Sequence, residues 1–509
     1  MKKIFVFAVL GLILFMNVGH CRAEKKQKTN VLFIVVDDLK PMLGCYSDQQ
    51  IISPNMDALA GQGVLFENAY CQQAVCAASR VSVFSGLRPD QTRVWDLKTN
   101  MRDVNPGVVT LPQYFQKHGY QTAAAGKIIH GAKNNDPRSW SIPYQEDRHY
   151  TYAKGFKYPA NGKYQNKVIH KAYRESKKEK LGWKATNQYL KECGLSPSVE
   201  CLDVPDDAYE DGAVAVKGME LLNEMSQAEQ PFFLALGFHK PHLPFAAPKK
   251  YWDMYQRSDI SQAPFMEKSE GAPVHAYHSW GELRNYSDIL PTGQVPADKQ
   301  KELIHGYKAC VTYVDAQIGK VLTKLDELGL RENTVVVLWG DHGWHLGDHG
   351  LWCKHSNFEQ AVKAPLIISA PGMKQGKVAA TMAEFVDMYP TLCELTDLPV
   401  GEHLDGLSLV PALKNPKKEV KNYAISQFPR GDKIMGYTIR NQQYRYTIWL
   451  QGPFRKQQIY TQPKIVATEL YDYINDPLEK TSLADDTQHE AIRVSMQTQL
   501  LEILNSQKR

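Results

Sequence analysis

Separated apolar runs, each ending in polar or charged residues, constrain this chain more than any other feature. "VLFIVV" (Val31 to Val36) runs into Asp37 and Asp38, and "TAAAGKIIH" carries Lys127 and His130. "PFFLALGFHKPH" runs into His239 and His242, "TVVVLWGDHG" into Asp341 and His342, and "PLIISAPG" into a turn at Pro371 and Gly372. Continuous apolar runs of this length suit strands covered on both faces, as in a parallel sheet. Helix-like segments lie between several of them, for example Asn55 to Ala60 and Tyr307 to Leu328. That alternation predicts an α/β layered domain. Ligands collect at the carboxyl ends of strands in such sheets, so the polar groups are expected on one rim, as a single site.

The chain has 509 residues, 43% apolar and 23% charged, enough to bury a sizeable core without staples. Its first residues read as processing rather than fold. Lys2 and Lys3 precede an apolar stretch, Ile4 to Met16, too short to span a bilayer comfortably, and small residues follow. We expect a secretory signal over 1–23, cleaved after Ala23, and hence a secreted or periplasmic protein with no membrane span once it is removed. A membrane anchor, or a lipid on Cys21, is the alternative. Lys2, Lys3 and Arg22 leave with the signal, so the 60 Lys and Arg fall close to the 55 Asp and Glu. No global basic field for nucleic acid remains. The nine cysteines are sparse for a disulfide scaffold, and no CxxC pair offers a zinc-thiolate site. Cys193 and Cys201 are close enough in sequence to bridge in an oxidising compartment.

Residues 159–184 carry Lys163, Lys167, Lys171, Arg174, Lys177, Lys178, Lys180 and Lys184 against Glu175 and Glu179. This reads either as a solvated insertion or as a basic wall that attracts a polyanion. The stretch "PALKNPKKEVK" (411–421) looks like a linker. Beyond it "YAISQF", "MGYTIR" and "YRYTIWL" read as short antiparallel strands, with a last helix over 487–505. The expected organisation is therefore a signal (1–23), a catalytic domain (24–415) and a C-terminal α+β subdomain with an antiparallel sheet (416–509).

Asp37 and Asp38 are adjacent acids at a strand end, and both converge only if the strand stops there. With Asp341 they make a hard oxygen site suited to calcium or magnesium. His342 is a less natural ligand for such a cation; it either binds the metal or positions its neighbour. The alternative for either motif alone is a solvated loop; two such motifs after buried-type strands weigh against it. Arg80, Lys127, His130, His239 and Lys354 add cationic or donor groups, which singly are ordinary surface charges or structural histidines. Gathered around one metal, they imply an anionic substrate with several oxygens, sulfate or phosphate. In "AVCAASRVSVFSGLRP" (74–89), a helix beginning near Ser79 would aim free N–H groups at an anion. Cys76 there is a reasonable thiolate nucleophile, but thiolate attack on a sulfate ester would leave a covalent intermediate needing a second displacement.

"CAASR" followed by "SGLRP" resembles the signature of the sulfatase family, in which the cysteine is oxidised to formylglycine; Ala78 stands where the family's usual form has proline. "VVDDL", "GKIIH" and "GDHGWHLGDHG" accompany it. "GFHKPHLPF", "FVDMYPTL" and "IMGYTIRNQQYRYTIW" extend the resemblance from about Asn30 to Leu483, toward the branch that acts on 2-O-sulfated iduronate. The resemblance implies an alkaline-phosphatase-like α/β fold with a large, mostly parallel central sheet flanked by helices, and one bound Ca2+. It implies that Asp37, Asp38, Asp341, His342 and the formylglycine made from Cys76 hold that ion. Arg80 would stabilise the hydrated aldehyde, and Lys127 and Lys354 would bind sulfate oxygens. One hydroxyl of the hydrate would attack sulfur and the other would then expel sulfate, helped by His130. His239 would protonate the leaving alkoxide or hold the sulfate. A maturation enzyme that makes formylglycine and a sulfated carbohydrate would be the partners. The chain departs from that branch in "RVWDLKTNMRD" (93–103) and at His355, where a tyrosine is expected; both are expected to border the sugar pocket.

Three functions follow for comparison. The first is a sulfatase on a carbohydrate, a 2-O-sulfated uronic acid or an algal polysaccharide. The second is a phosphatase or phosphonate monoester hydrolase on the same fold. The third is a non-catalytic polyanion binder, which has no use for a cysteine at that turn.

Overall fold

The protein is described by a computed structural model covering residues 28–131 and 135–507; the expected signal over 1–23 lies outside the described residues. Among these residues a seven-stranded sheet runs in the spatial order Lys377–Glu384, Val64–Tyr70, Leu366–Ser369, Thr334–Gly340, Asn30–Val36, Phe232–Phe238, Gln121–Gly126. Asn30–Val36 is central, parallel to both neighbours, with Val31 opposite Phe233 and Val335. Leu366–Ser369 is antiparallel to both of its own neighbours. The sheet is thus mostly parallel but mixed, and the turn at Pro371 and Gly372 falls on the rim opposite the other polar strand ends.

The central strand shows why its sequence does not alternate. Leu32, Ile34 and Val36 enter one core cluster while Val31, Phe33 and Val35 enter another. Side chains alternate across a strand, so a strand covered on both faces is apolar throughout. The first cluster includes Val311, Val314 and Ile318 of the long helix Ala297–Glu327 and Ala213, Val214 and Leu222 of Glu210–Met225. The second includes Ala77, Ala78, Val81 and Phe84 of Cys76–Ser85. Each large side chain so buried contributes about 1.5–3 kcal/mol.

The strands Ala424–Arg430, Ile434–Arg440, Tyr444–Gln451 and Ile465–Asp472 form a separate antiparallel sheet. The helix Glu490–Ser506 packs Met496, Leu500 and Leu504 into its core. The last strand, "IVATELYD", was not anticipated; its first residues are exposed and carry no inward alternation.

The stretch 411–421 is not a free linker. Ala412 and Leu413 enter the second core cluster, and the buried Lys421 ammonium pairs with Glu384 and Asp387 at 2.7 and 2.6 Å. Its lysine-rich composition hid a buried ammonium that pairs with two carboxylates at the end of Lys377–Glu384 and just beyond it. Cys193 and Cys201 are both free and exposed. The basic segment folds into the helices Lys167–Lys178 and Trp183–Glu192 over a small core of Ala160, Tyr164 and Ile169. From Lys167 onward its bases face solvent. No helix among the described residues is long and apolar enough to cross a membrane.

Candidate active site

Four strand ends of the main sheet and one helix start meet at a point. The strand Asn30–Val36 ends at Asp37, and Asp38 turns the chain with φ 59°, a left-handed conformation that aspartate tolerates better than most side chains. Its backbone N–H donates to Asp341 Oδ1 at 2.9 Å. Lys127 follows Gln121–Gly126, and its N–H donates to the Gly237 carbonyl at 2.8 Å. A Cβ on Gly237 would stand 2.0 Å from the Lys127 carbonyl oxygen, so only glycine lets these strand ends close. Lys354 sits between Cys353 and His355, whose φ values of 73° and 67° are left-handed; non-glycine residues in that region cluster at functional sites.

The helix begins at Cys76 itself, three residues before the expected start, with Val75 extended at its N-cap. Cys76 Sγ lies 3.3 Å from His342 Nε2, 3.9 Å from Asp38 Oδ1 and 3.8 Å from Lys127 Nζ. Arg80, one helical turn further, is wholly buried. Its Nε donates to Asp341 Oδ2 at 2.8 Å and its Nη2 to Asp37 Oδ1 at 2.9 Å, while Nη1 donates to the carbonyls of Lys127 and Ile128. The Lys127 ammonium pairs with Asp37. Lys354 Nζ bridges both Asp38 oxygens, at 3.0 and 2.9 Å, and Glu282 Oε1 at 3.0 Å. Of the expected residues, Asp37, Asp38, Cys76, Arg80, Lys127, Asp341, His342 and Lys354 thus form one contiguous cage.

Cage electrostatics follow from burial and pairing. Burial alone would raise the Asp37 carboxyl, but Lys127 and Arg80 hold it well below the usual range. Asp38 goes the other way: burial outweighs Lys354 and lifts it to about 7. A buried carboxylate whose charge the protein leaves under-compensated is a natural partner for a cation. Asp38, Cys76 and His342 offer donor atoms within 4.8 Å of one another, as do Asp37, Cys76 and Asp341. Three convergent carboxylates fit a hard divalent cation.

His130 and His239 border the cage on a cavity of ≈ 440 Å³ that opens past Asp37 and Lys127. Burial, then Lys127, pushes the His130 imidazole down to about 4, and its buried Nδ1 has no partner among the described residues. Burial also opposes charge on His239, but Glu210 and Asp147 overcome it and raise the imidazole to about 9. His239 Nε2 lies 2.7 Å from Asp147 Oδ2, and the Asp211 carboxylate accepts from the N–H groups of His239 and Lys240 at 2.6 and 2.8 Å. One histidine is neutral at pH 7 and the other charged, the division of labour a base and an acid require.

Sequence reasoning did not find Glu282, Asp147 or Glu210. Glu282 Oε1 also lies 3.1 Å from His242 Nε2. It comes from an irregular stretch with no apolar strand ahead of it, so no pattern marked it. The cavity wall also differs from expectation. Among the described residues its lining includes Asp147, Tyr158, Lys163, Glu210 and His242 but not His355, and of 93–103 only Asn100 to Arg102 come near, lining an adjoining cavity that shares Asn135 with it. Trp95 instead packs with Phe454 of the C-terminal core, and the His355 ring lies against His278 and Phe428. Their aromatic character serves packing between the sheets.

Comparison with known proteins bears on this geometry. A family model for sulfatases matches residues 29–398, and one for the C-terminal part of N-sulphoglucosamine sulphohydrolase matches 347–506. The chain is 34% identical to iduronate 2-sulfatase of Mus musculus over 534 residues, spanning 90% of this chain and 91% of that protein. A solved structure described as a 2-O GAG sulfatase superposes with a TM-score of 0.69 at 22% identity, covering 94% of this chain and 92% of that one. The phosphonate monoester hydrolase of Agrobacterium radiobacter superposes with a TM-score of 0.71 at 19% identity, covering 94% and 96%. At such identities the two structures speak for the fold alone.

Proposed function

From a chain that belongs to the sulfatase family, and is therefore a sulfuric ester hydrolase, we propose a secreted or periplasmic enzyme that removes a 2-O-sulfate from a uronic acid in a sulfated carbohydrate. We propose further that a maturation enzyme converts Cys76 to formylglycine, and that Asp37, Asp38, Asp341, His342 and residue 76 hold one calcium ion. The observation that carries this reading is the position of Cys76. It starts a buried helix within 4 Å of Asp38, Lys127 and His342, and Lys127 with Asp37 lines a cavity large enough for a sugar. Likeness to iduronate 2-sulfatase over nine-tenths of the chain supports the uronate.

A hydrated aldehyde at residue 76 beside a divalent cation supplies an activated hydroxyl at neutral pH. The surrounding side chains do the rest. Arg80 orients residue 76 by locking Asp37 and Asp341. Lys127 and Lys354 are both held protonated, since Asp37 and Asp38 outweigh the burial that opposes their charge, and they neutralise sulfate oxygens. His239, charged, gives its proton to the leaving sugar oxygen, and neutral His130 accepts one as sulfate departs. The helix N-terminus at Cys76 adds unpaired N–H groups.

The test has three readings. Residue 76 in the mature protein should show a mass loss of about 18 Da, the difference between thiol and aldehyde. Chelation should abolish turnover and lower the melting temperature, with calcium restoring both better than magnesium. Sulfate release from 2-sulfated uronic acid disaccharides should exceed that from algal sulfated oligosaccharides. The phosphonate monoester hydrolase shares this fold, so a preference for aryl phosphate over aryl sulfate would overturn the assignment.

A further inference from the structure

Resting on the proposed carbohydrate substrate, we infer that Lys163 is a subsite for a second anionic group on the sugar, a carboxylate or a further sulfate. Lys163 comes from the basic segment 159–184, whose later bases face solvent, yet it alone of them lines the catalytic cavity. Its ammonium lies 5.3 Å from the Tyr286 ring and makes no ion pair or hydrogen bond among the described residues. The other cations on that wall are engaged. Lys127 pairs with Asp37, Arg148 with Glu146, His239 with Asp147, and Lys240 Nζ donates to the carbonyls of His242 and Pro244.

The charges facing Lys163 explain why it waits for a partner. Burial first, then Lys240, pushes its ammonium down to about 8, while Glu282 and Glu210 pull less strongly the other way. Glu282 is committed to Lys354 and His242. Glu210 belongs to the His239 pair, where burial lifts its carboxyl to about 7. A half-buried ammonium without a counter-ion is costly, and a substrate anion would relieve that cost. The scissile sulfate belongs at Lys127 and residue 76, so the group that reaches Lys163 is a different one. The cavity then sorts sugars by a second charge, with Lys163 acting on specificity and not on bond cleavage.

The experiment measures kcat/KM for wild type, Lys163→Met and Lys163→Arg on five probes. These are a 2-sulfated uronide disaccharide, its carboxyl methyl ester, a disulfated amino sugar, the same sugar with one sulfate and 4-nitrophenyl sulfate. In wild type, esterifying the carboxylate should cost roughly 10- to 100-fold, the worth of one charge-assisted hydrogen bond. In Lys163→Met acid and ester should become equal, and Lys163→Arg should restore part of the difference. Dependence on Lys163 confined to the uronide assigns a carboxylate; dependence confined to the disulfated sugar assigns a sulfate. Equal discrimination by wild type and Lys163→Met on both sugars overturns the subsite. The wild-type ester comparison keeps the idea testable should the variant misfold, since no penalty there and none for losing a second sulfate also overturns it. Wild-type enzyme that cleaves 4-nitrophenyl sulfate but no sulfated sugar defeats the carbohydrate reading instead.

Discussion

The cage around Cys76 and the wall of the cavity are built in opposite ways. In the cage the cations are buried and paired at short range: Arg80 with Asp37 and Asp341, Lys127 with Asp37, Lys354 with Asp38 and Glu282. Its residues come from the ends of sheet strands and from a helix that packs on the sheet, so their positions are set by the core. The wall comes from loops and from the basic segment. There Arg148 and Glu146 are more than half and nearly half exposed, and Lys163 has no ion-pair partner among the described residues. Rigid paired charge suits a reaction whose geometry is the same for any sulfate ester; loosely compensated charge suits recognition of the sugar around it.

Breaking the cage should therefore hurt far more than breaking the wall. Cys76→Ala should lower kcat by on the order of 10⁴- to 10⁶-fold, as for other nucleophiles, with an unchanged circular dichroism spectrum. Arg80→Met takes the guanidinium from two buried carboxylates, Asp37 and Asp341, and should cost about 3–5 kcal/mol in urea denaturation. A variant of near wild-type stability would show that the cage is not closed as described.

His239 lies where the two regions join, and its pH behaviour sharpens the contrast. Its imidazole is raised to about 9 from an ordinary 6.5, so it is protonated at neutral pH and loses its proton as pH rises through about 9. As the acid for the leaving sugar, it should give kcat an alkaline limb near that pH. The same shift contributes stability that is fully present below 6.5 and lost as pH rises through about 9. His239→Gln should lower kcat roughly 10²- to 10⁴-fold. Asp147→Asn should keep more activity but move the alkaline limb downward, and a pH–rate profile identical to wild type would remove Asp147 from the mechanism. At the small end, Arg148→Ala should change thermal stability by under about 0.5 kcal/mol, because its ion pair with Glu146 is exposed and screened.

The same division separates what could be read from the chain. Asp37, Asp38, Lys127, His239 and Asp341 follow apolar runs, and a run buried on both faces delivers its last residue to the rim of a sheet. Cys76 and Arg80 were marked by motif rather than periodicity, and Lys354 likewise. Glu282, Asp147, Glu210 and the cavity-facing Lys163 carry no such mark. Lys163 looks in sequence like the seven bases after it, and only the fold places it in the cavity wall. Lys421 shows the reverse, a residue in an apparent linker that the fold buries against Glu384 and Asp387.

Sequence alone determined the layered α/β architecture and the strand-end acids, because burial on both faces leaves a continuous apolar run that any reader of hydropathy can find. It also carried the cysteine signature. Tertiary structure alone decided the antiparallel course of Leu366–Ser369, the pairing of each charge, the opposite protonation of His130 and His239, and which loops wall the cavity. Those outcomes depend on contacts between segments far apart in the chain. Electrostatic energy depends on distance and burial, and neither is written in the order of residues.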